Sequence, residues 1–469
     1  VVSSPWFGLD IGLSALRAAQ TMMDVAAHNT ANANTDGYSR QRAQLVAAPP
    51  YTYPAFNRAG FGQLGTGVSV AAIIRVRDAF LDLQLRGQVS LAGYWDVRRD
   101  QLSQVESILA EPTDSGIGSN LNRFWGAWED VAADPTSTAA RAALVETAAT
   151  LAGAFNQTAR QLTGLVASLD GAVGNQVSQV NDLASRIAAL NAQIQRVVVS
   201  GDRANDLEDQ RDALLEQLSA IVPLSAQREA DGTVTVLVGG VDLVNHDRAR
   251  TMATTTDAAG HLVPSWPWGD PVALGQGQLG ALVELRDQVV PGYLARLNAL
   301  ARDLATAVNA LHQSGYDAAG NPGLAFWVFT PGSEAATLAV NPALVADPAK
   351  VAAASAPNQP GNGATAAAIA DLRAATIASG GTQTVSDAYA GLVGLVGADA
   401  RQATEMAANQ ELVVDHLRTR WESISGVSLD EEAADMIRFQ HAYQAAARVI
   451  TTVDELLDTL INRTGLVGR

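Results

Sequence analysis

The clearest pattern in the chain lies between Ser428 and Leu460, where apolar residues return at intervals of seven. Met436, Tyr443, Ile450 and Leu457 hold one heptad position, and Phe439, Ala446, Val453 and Leu460 hold another three places on. Four heptads of this kind draw a narrow apolar stripe on a helix, shaped to lie against another helix. Ser428 and Glu431 stand just ahead at capping-box spacing, which marks the helix start. Ordering helical backbone costs about 1–2 kcal/mol per residue, more than one stripe of contacts returns, so the segment needs partner helices. At the opposite end Leu9, Leu16 and Met23 repeat at seven, with Gly12, Ala19 and Ala26 repeating beside them. Those small residues let a bulkier seam approach closely. The spacing predicts that the two ends of the chain pair as an α-helical coiled coil, with everything else inserted between them.

Between the ends, the pattern predicts a first helix over 8–33, stopped by the Asn- and Gly-rich run Asn32 to Gly37. An extended stretch follows from Tyr38 to Val46. Pro49, Pro50 and Pro54 then impose a loop-like passage to about Gly67, and Val68 to Val76 reads as a short strand. Helices are expected over 78–108, broken at Glu111-Pro112, then from Leu121, over 137–169, over 173–198 and over 205–220. The period then changes. Gln227 to His246 reads as a strand, an Asp231-Gly232 hairpin turn and a second strand. Helical pattern returns over 279–313 with a kink at Pro291, and again over 366–378 and 384–423, with Val396, Ala403, Leu417 and Ile424 in heptad register. Short strands at 325–330 and 337–340 and a flexible passage at 357–363 separate these helices.

The predicted fold is mainly α, with a long-helix bundle body and a smaller β-rich insert. By domain, that is a terminal coiled-coil assembly domain (1–45 and 426–469), a helical body (46–225, 276–325 and 365–425) and a β-rich outer domain (226–275 and 326–364). Composition sharpens this picture. Hydrophobic residues make up 48% of the chain but aromatics only 5%, with alanine filling much of the difference, which favours closely packed helices over sheets. The net charge is −17, and Lys350 is the only lysine. So acidic a chain is repelled by phosphate backbones and anionic lipid, so neither nucleic acid nor membrane is expected as a partner. There are no cysteines, which removes disulfides, thiolate metal sites and thiol nucleophiles. Val1 to Leu16 carries no basic residue and does not read as a Sec-type signal peptide.

Both ends also spell a recognisable motif. Gly12-Leu13-Ser14-Ala15-Leu16, Gln20, Asp24-Val25, Asn29, Ala31-Asn32, Asn34-Thr35 and Gly37-Tyr38 resemble the N-terminal motif of the bacterial flagellar axial proteins, the rod, hook and hook-associated group. Ser425 to Glu432, Phe439-Gln440, Ala442 to Ala445, Ala447 to Ile450 and Asp458 to Leu460 resemble that group's other end. His28-Asn29-Thr30 departs from it, since the group more often has two asparagines and isoleucine there. The middle resembles the hook-associated protein 1 family, at Arg77-Asp78, Phe80-Leu81, Glu106 to Leu109, Asn205 to Leu207, Asp209 to Asp212, Asn309 to His312 and Gly315 to Asp317. That resemblance implies a structural protein, not an enzyme, that forms a ring of its own copies at the hook–filament junction. It also implies hook protein and a second junction protein, hook-associated protein 3, as neighbours. Secretion through the flagellar type III apparatus, an extracellular location, and an export chaperone on the C-terminal region follow from it too. The assembly seam on this reading is Leu9, Leu16 and Met23 with Met436, Phe439, Tyr443, Ile450, Val453, Leu457 and Leu460.

Other chemistry is weak. Gly275 to Gly280 matches G-x-G-x-x-G, but a dinucleotide site also needs flanking parallel strands, and here a helix continues to Gln313 with Asp303 inside it, so a glycine-rich joint is the expected use. The six histidines are scattered, and no cofactor, metal or catalytic residue is expected. The carboxylates from Asp202 to Glu216 read as a solvated helix face partnered by Arg203 and Arg211, and Glu284 and Asp287 read likewise. The competing functions are another axial protein of hook or rod type, or an axial protein whose insert is an adhesive, carbohydrate-binding module. Trp266 and Trp268, flanking Pro267, are the only hint of a sugar platform.

Overall fold

The computed structural model describes residues 6–50, 64–109, 111 and 113–463. Most of the expected loop at 49–67, with Pro54, and Pro112 of the expected break lie outside the described residues. The chain is mainly helical. In order it forms α1 (Phe7–Ala31), β1 (Gln41–Ala47), β2 (Val68–Arg75), α2 (Ala79–Leu109), α3 (Ile117–Ala133), α4 (Thr138–Val199) and α5 (Asn205–Ile221). Six strands follow: β3 (Leu224–Arg228), β4 (Val234–Val238), β5 (Val241–Asn245), β6 (Arg248–Ala249), β7 (Ala253–Thr256) and β8 (Leu262–Ser265). Then come α6 (Gly277–Glu284), α7 (Val290–Ser314), β9 (Trp327–Val328), α8 (Glu334–Thr337), β10 (Ala339–Val340), α9 (Pro342–Ala346), α10 (Ala364–Asp371), α11 (Val385–Ser425) and α12 (Leu429–Asp458). No helix among the described residues is long and apolar enough to cross a membrane.

The helices expected over 137–169 and 173–198 are one 62-residue helix, α4. Buried residues recur every three or four positions straight through Gly171, from Leu162, Leu165 and Leu169 to Val173, Val177 and Val180. Burial on that face outweighs the weak helix propensity of one glycine. The kink expected at Pro291 is a π-helical turn over Leu285–Val289 directly ahead of it. Proline cannot donate to the carbonyl four residues back, and a widened turn absorbs that loss. The helix expected over 366–378 stops as α10 at Asp371, and turns carry the chain to α11.

The chain falls into two compact units. The first comprises residues 1–90, 179–252 and 411–469. In it β1 and β2 form an antiparallel ribbon running from Gln41 opposite Arg75 to Ala47 opposite Val68. The strands β3 to β6 form a four-stranded antiparallel meander. Val234, Val236 and Val238 alternate into its core. Its first turn is the expected Asp231-Gly232 hairpin, with Gly232 at φ +84° and so close to α4 that a Cβ would lie 2.8 Å from Val198 Cγ2. Asn191 of α4 donates to the carbonyls of Val234 and His246, which pins the meander.

The second unit comprises 91–178 and 253–410. It holds a cluster of buried aromatic residues. Phe124 and Trp128 of α3 meet Phe326 and Trp327 with ring centroids 5.2–6.0 Å apart, and Trp125 lies 5.0 Å from Phe124, all essentially buried. His312 joins this cluster: Nδ1 donates to the Leu324 carbonyl, and Nε2 accepts from the Ala352 amide. Burial lowers its pKa to about 4, so the imidazole is neutral. The hairpin β7–β8 is held at Leu262, whose N–H donates to Asp170 and whose carbonyl accepts from Arg286. Trp266 is buried in this unit, and Trp268, half exposed, stacks on it at 5.9 Å. Glu284, expected on a solvated face, instead accepts from Tyr94 and pairs with Arg98 at 2.6 Å.

Candidate assembly site

The described α1 and α12 lie antiparallel, side by side. A Cβ added at Gly12 would stand 2.8 Å from Ile450 Cγ1, and one at Gly8 would stand 3.0 Å from Val453 Cγ2. Near the other end of the pair, Asn29 meets Glu432. The residues α1 buries are mostly small, Gly12, Ala18, Ala19 and Ala26 with Val25 and Asn29. Leu9, Leu16 and Met23 flank that row and are half-buried. On α12, Ala446 and Leu457 are buried, and Met436, Phe439, Tyr443, Ile450 and Val453 are half-buried. Nine of the ten seam residues named from the spacing are thus buried or half-buried on the two paired helices. Leu460 is the exception. It lies in a π-helical turn, Thr459–Arg463, where the wider turn breaks the heptad phase, and it is 58% exposed. Ser428 caps α12, with its hydroxyl accepting from the Glu431 amide as the sequence indicated.

One buried amide ties this helix pair to the extended chain behind it. Asn29 Nδ2 donates to the Gln41 carbonyl at 2.9 Å and to Glu432 Oε2 at 3.1 Å. Its Oδ1 accepts from the Gln41 amide at 2.9 Å and from the Tyr38 hydroxyl at 2.8 Å. Only a carboxamide offers two donors and a two-fold acceptor in so small a volume. The turn that returns Tyr38 to this point places Gly37 at φ +76°, a conformation that suits glycine. Burial, then the negative charges of Asp206, Asp209 and Glu432, push the Tyr38 phenol above its ordinary range, so it stays a donor. Arg40 completes the lock, with Nε 2.7 Å from Glu432, Nη1 2.6 Å from Glu431, and its amide donating to the Ser425 carbonyl.

The second layer is an arginine–carboxylate network that the spacing did not reveal. The helix face over 202–216 is not solvated as expected: Glu208, Asp209 and Arg211 are all buried. Arg75, at the end of β2, sits 2.5 Å from Glu208, 2.7 Å from Asp209 and 2.8 Å from Asp212. Arg77 pairs with Asp82 at 2.9 Å and Asp212 at 3.1 Å, and lies over the Trp421 ring. Ser39 donates to Asp209 through both its amide and its hydroxyl. Burial works against the Arg75 charge, but Asp212, Glu208 and Asp209 outweigh it and raise its pKa. Asp212 is held low the same way: burial opposes its charge, and Arg77, Arg75 and Arg211 overcome that. The available signal was geometric. Residues 208 and 212 share one helix face with 209, while 75 and 77 share one strand face. Nothing in the sequence alone set those two faces opposite each other.

Among the described residues no group of three His, Asp or Glu side chains is placed to hold a metal ion. The site's contacts are helix packing, hydrogen bonds and ion pairs within the chain. Residues 102–327 match the family model described as the flagellar hook-associated protein FlgK helical domain. Residues 9–38 match the flagella basal body rod protein model, and 422–463 match the flagellar basal body rod FlgEFG protein C-terminal model. Flagellar hook-associated protein 1 of Bacillus subtilis is 35% identical over 510 residues, covering the whole of both chains. Its counterpart in Salmonella typhimurium is 28% identical, covering 96% of this chain and 98% of the relative. In structure, the flagellar hook junction protein FlgK from Burkholderia pseudomallei superimposes with a TM-score of 0.64 at 18% identity, covering 73% of this chain and all of that one.

Proposed function

The chain belongs to the flagellar hook-associated protein 1 family and is a structural axial protein of the hook–filament junction; from that premise we propose that its terminal helix pair is the element through which it assembles. The observation that carries this is what α12 leaves uncovered. One stripe of the helix packs on α1, yet Ile437 (57% exposed) and Leu456 (64% exposed) present further apolar side chains to solvent. A helix with apolar residues on a solvent face suits contact with further helices.

On this reading, copies of the chain form a ring through residues 1–45 and 426–469. The remaining residues divide by role into the helical body (46–225, 276–325 and 365–425) and a β-rich outer part (226–275 and 326–364), a division that cuts across the two compact units. Hook protein is the neighbour on one side of the ring and hook-associated protein 3 the neighbour on the other. The chain leaves the cell through the flagellar type III apparatus, with an export chaperone on its C-terminal region, and works outside the cell. The absence of cysteine supports this route, since a chain threaded unfolded through a narrow channel carries no crosslinks.

The test is an Ile437→Asp, Leu456→Asp double variant, which changes two α12 side chains that are each more than half exposed. It is expected to fold and to be secreted like the unaltered chain, yet to fail to seat a filament. Normal filaments on cells carrying it would contradict the proposal.

A further inference from the structure

The first unit contains a cavity of about 530 Å³ whose charge is out of keeping with the chain. Arg75, Arg77, Arg86, Arg203, Arg211 and Arg228 all line it. Against these stand three lining carboxylates, Asp82, Glu208 and Asp212, with Asp209 beside Arg75. Six guanidinium groups therefore face four carboxylates in a protein whose net charge is −17.

The surplus can be assigned to particular side chains. Arg75, Arg77 and Arg228 are paired with the acids of the cavity. Among the described residues, the guanidinium groups of Arg86 and Arg203 have no ion-pair or hydrogen-bond partner. Arg211 is 1% exposed, and its Nη1 donates to Asn191 Oδ1 and the Gly232 carbonyl. Its Nε, also buried, has no acceptor. Burial pulls the Arg211 pKa down to about 10, against the opposing pull of Asp212 and Glu208. A buried cation with an open donor on a cavity wall is costly unless an anion completes it. The first residue of α5, Asn205, also lines the space, which brings the positive end of that helix to it.

We propose that this cavity is a binding site for a multivalent oxyanion. Arg86 and Arg203 offer free planar forks that grip phosphate or carboxylate oxygens in pairs, and Arg211 supplies the buried donor. The surplus positive charge disfavours cations, and the charged lining disfavours apolar ligands. The space exceeds what one phosphate fills, so a linear polyphosphate or a cluster of carboxylates fits better than a single small ion. Such oxygens come either from free anions or from acidic side chains of a second copy of this chain, whose own charge of −17 makes it a ready donor.

The test uses the full chain, its Arg86→Gln, Arg203→Gln double variant and an Arg203→Lys variant, with circular dichroism and the unfolding midpoint as checks of folding. Calorimetry at constant ionic strength measures binding of inorganic phosphate, tripolyphosphate and citrate. Sedimentation over a salt series measures self-association. We expect one tripolyphosphate or citrate per chain, bound about tenfold or more weakly by the double variant. Arg203→Lys, which keeps the charge but loses the fork, should fall between. If no small anion binds but the double variant self-associates less, and salt erases the difference, the oxyanions are a second copy's carboxylates and the site stands. Absence of anion binding together with unchanged self-association overturns it. Binding that persists undiminished in the double variant does so as well.

Discussion

Replacing Asn29 with leucine tests the lock at its centre. Leucine is close to asparagine in size, so the change removes hydrogen bonds while leaving little cavity. Four groups lose their Asn29 partner: the Gln41 amide, the Gln41 carbonyl, the Tyr38 hydroxyl and Oε2 of Glu432. Each buried group left unpaired costs about 1–3 kcal/mol. Glu432 keeps Arg40 at 2.7 Å, and partial relaxation lets water reach some of the rest. The expected loss is therefore about 3–6 kcal/mol rather than the full sum. It falls on the docking of α12 and β1 against α1, not on the second unit. Amide exchange followed by mass spectrometry on dilute protein reads this directly. Peptides over 430–446 should exchange about a hundredfold faster or more, by the equivalence of about 1.4 kcal/mol to each factor of ten. Peptides around the Phe124–Trp327 cluster serve as the internal reference and should not change. Unaltered exchange over 430–446 would show that Asn29 does not hold the helix pair, and the lock would have to be abandoned.

Other perturbations reach different parts of the structure. Gly12→Ala gains up to about 1 kcal/mol of helix propensity, but its Cβ arrives 2.8 Å from Ile450 Cγ1, an overlap that costs about 1–3 kcal/mol. The single change should weaken the helix pair in amide exchange, and the same change in an Ile450→Ala background should strengthen it; stabilisation in both backgrounds would mean the helices are not so close. His312 gives a pH dependence with a definite sign. Its folded pKa of about 4 lies below the ordinary 6.5, so its contribution is complete above pH 6.5 and is lost as pH falls toward 4. The unfolded imidazole takes up a proton that the folded one refuses, and about 2 kcal/mol should be gone by pH 5. Thermal unfolding of the second unit between pH 7 and pH 5 should show this loss, and His312→Gln should flatten it; an equal slope in the variant would refute the assignment.

How much of this was legible in the sequence follows from the range of the interactions involved. The α12 seam, its Ser428 cap and the small-residue row on α1 are written in local periodicity, so both helices and their pairing could be read directly. The Asp231-Gly232 hairpin was legible for the same reason, since its turn chemistry is local. The Asn29 lock was visible only as a set of motif residues whose purpose the spacing does not give. Its partners lie 9, 12 and 403 residues away. Charge pattern misled at residues 202–216, because carboxylates on a helix look the same whether water or an arginine strand covers them. Arg75 and Arg77 reach that face across more than 130 residues. Leu460 fits the heptad by counting, but it lies beyond the point where the α-helix holds its phase.

The most direct test of the terminal helix pair as the assembly element is electron microscopy of cells whose only copy of the protein carries Tyr443→Asp and Ile450→Asp. Both side chains lie in the half-buried stripe of α12. Each change forfeits part of the roughly 1.5–3 kcal/mol that full burial of such a side chain contributes and sets a carboxylate in the contact, where its desolvation opposes packing further. The purified variant should keep its helical circular dichroism. The cells should build hooks that end bare, with filament protein released into the medium. Full-length filaments and normal swimming in that strain would contradict the helix pair as the assembly element.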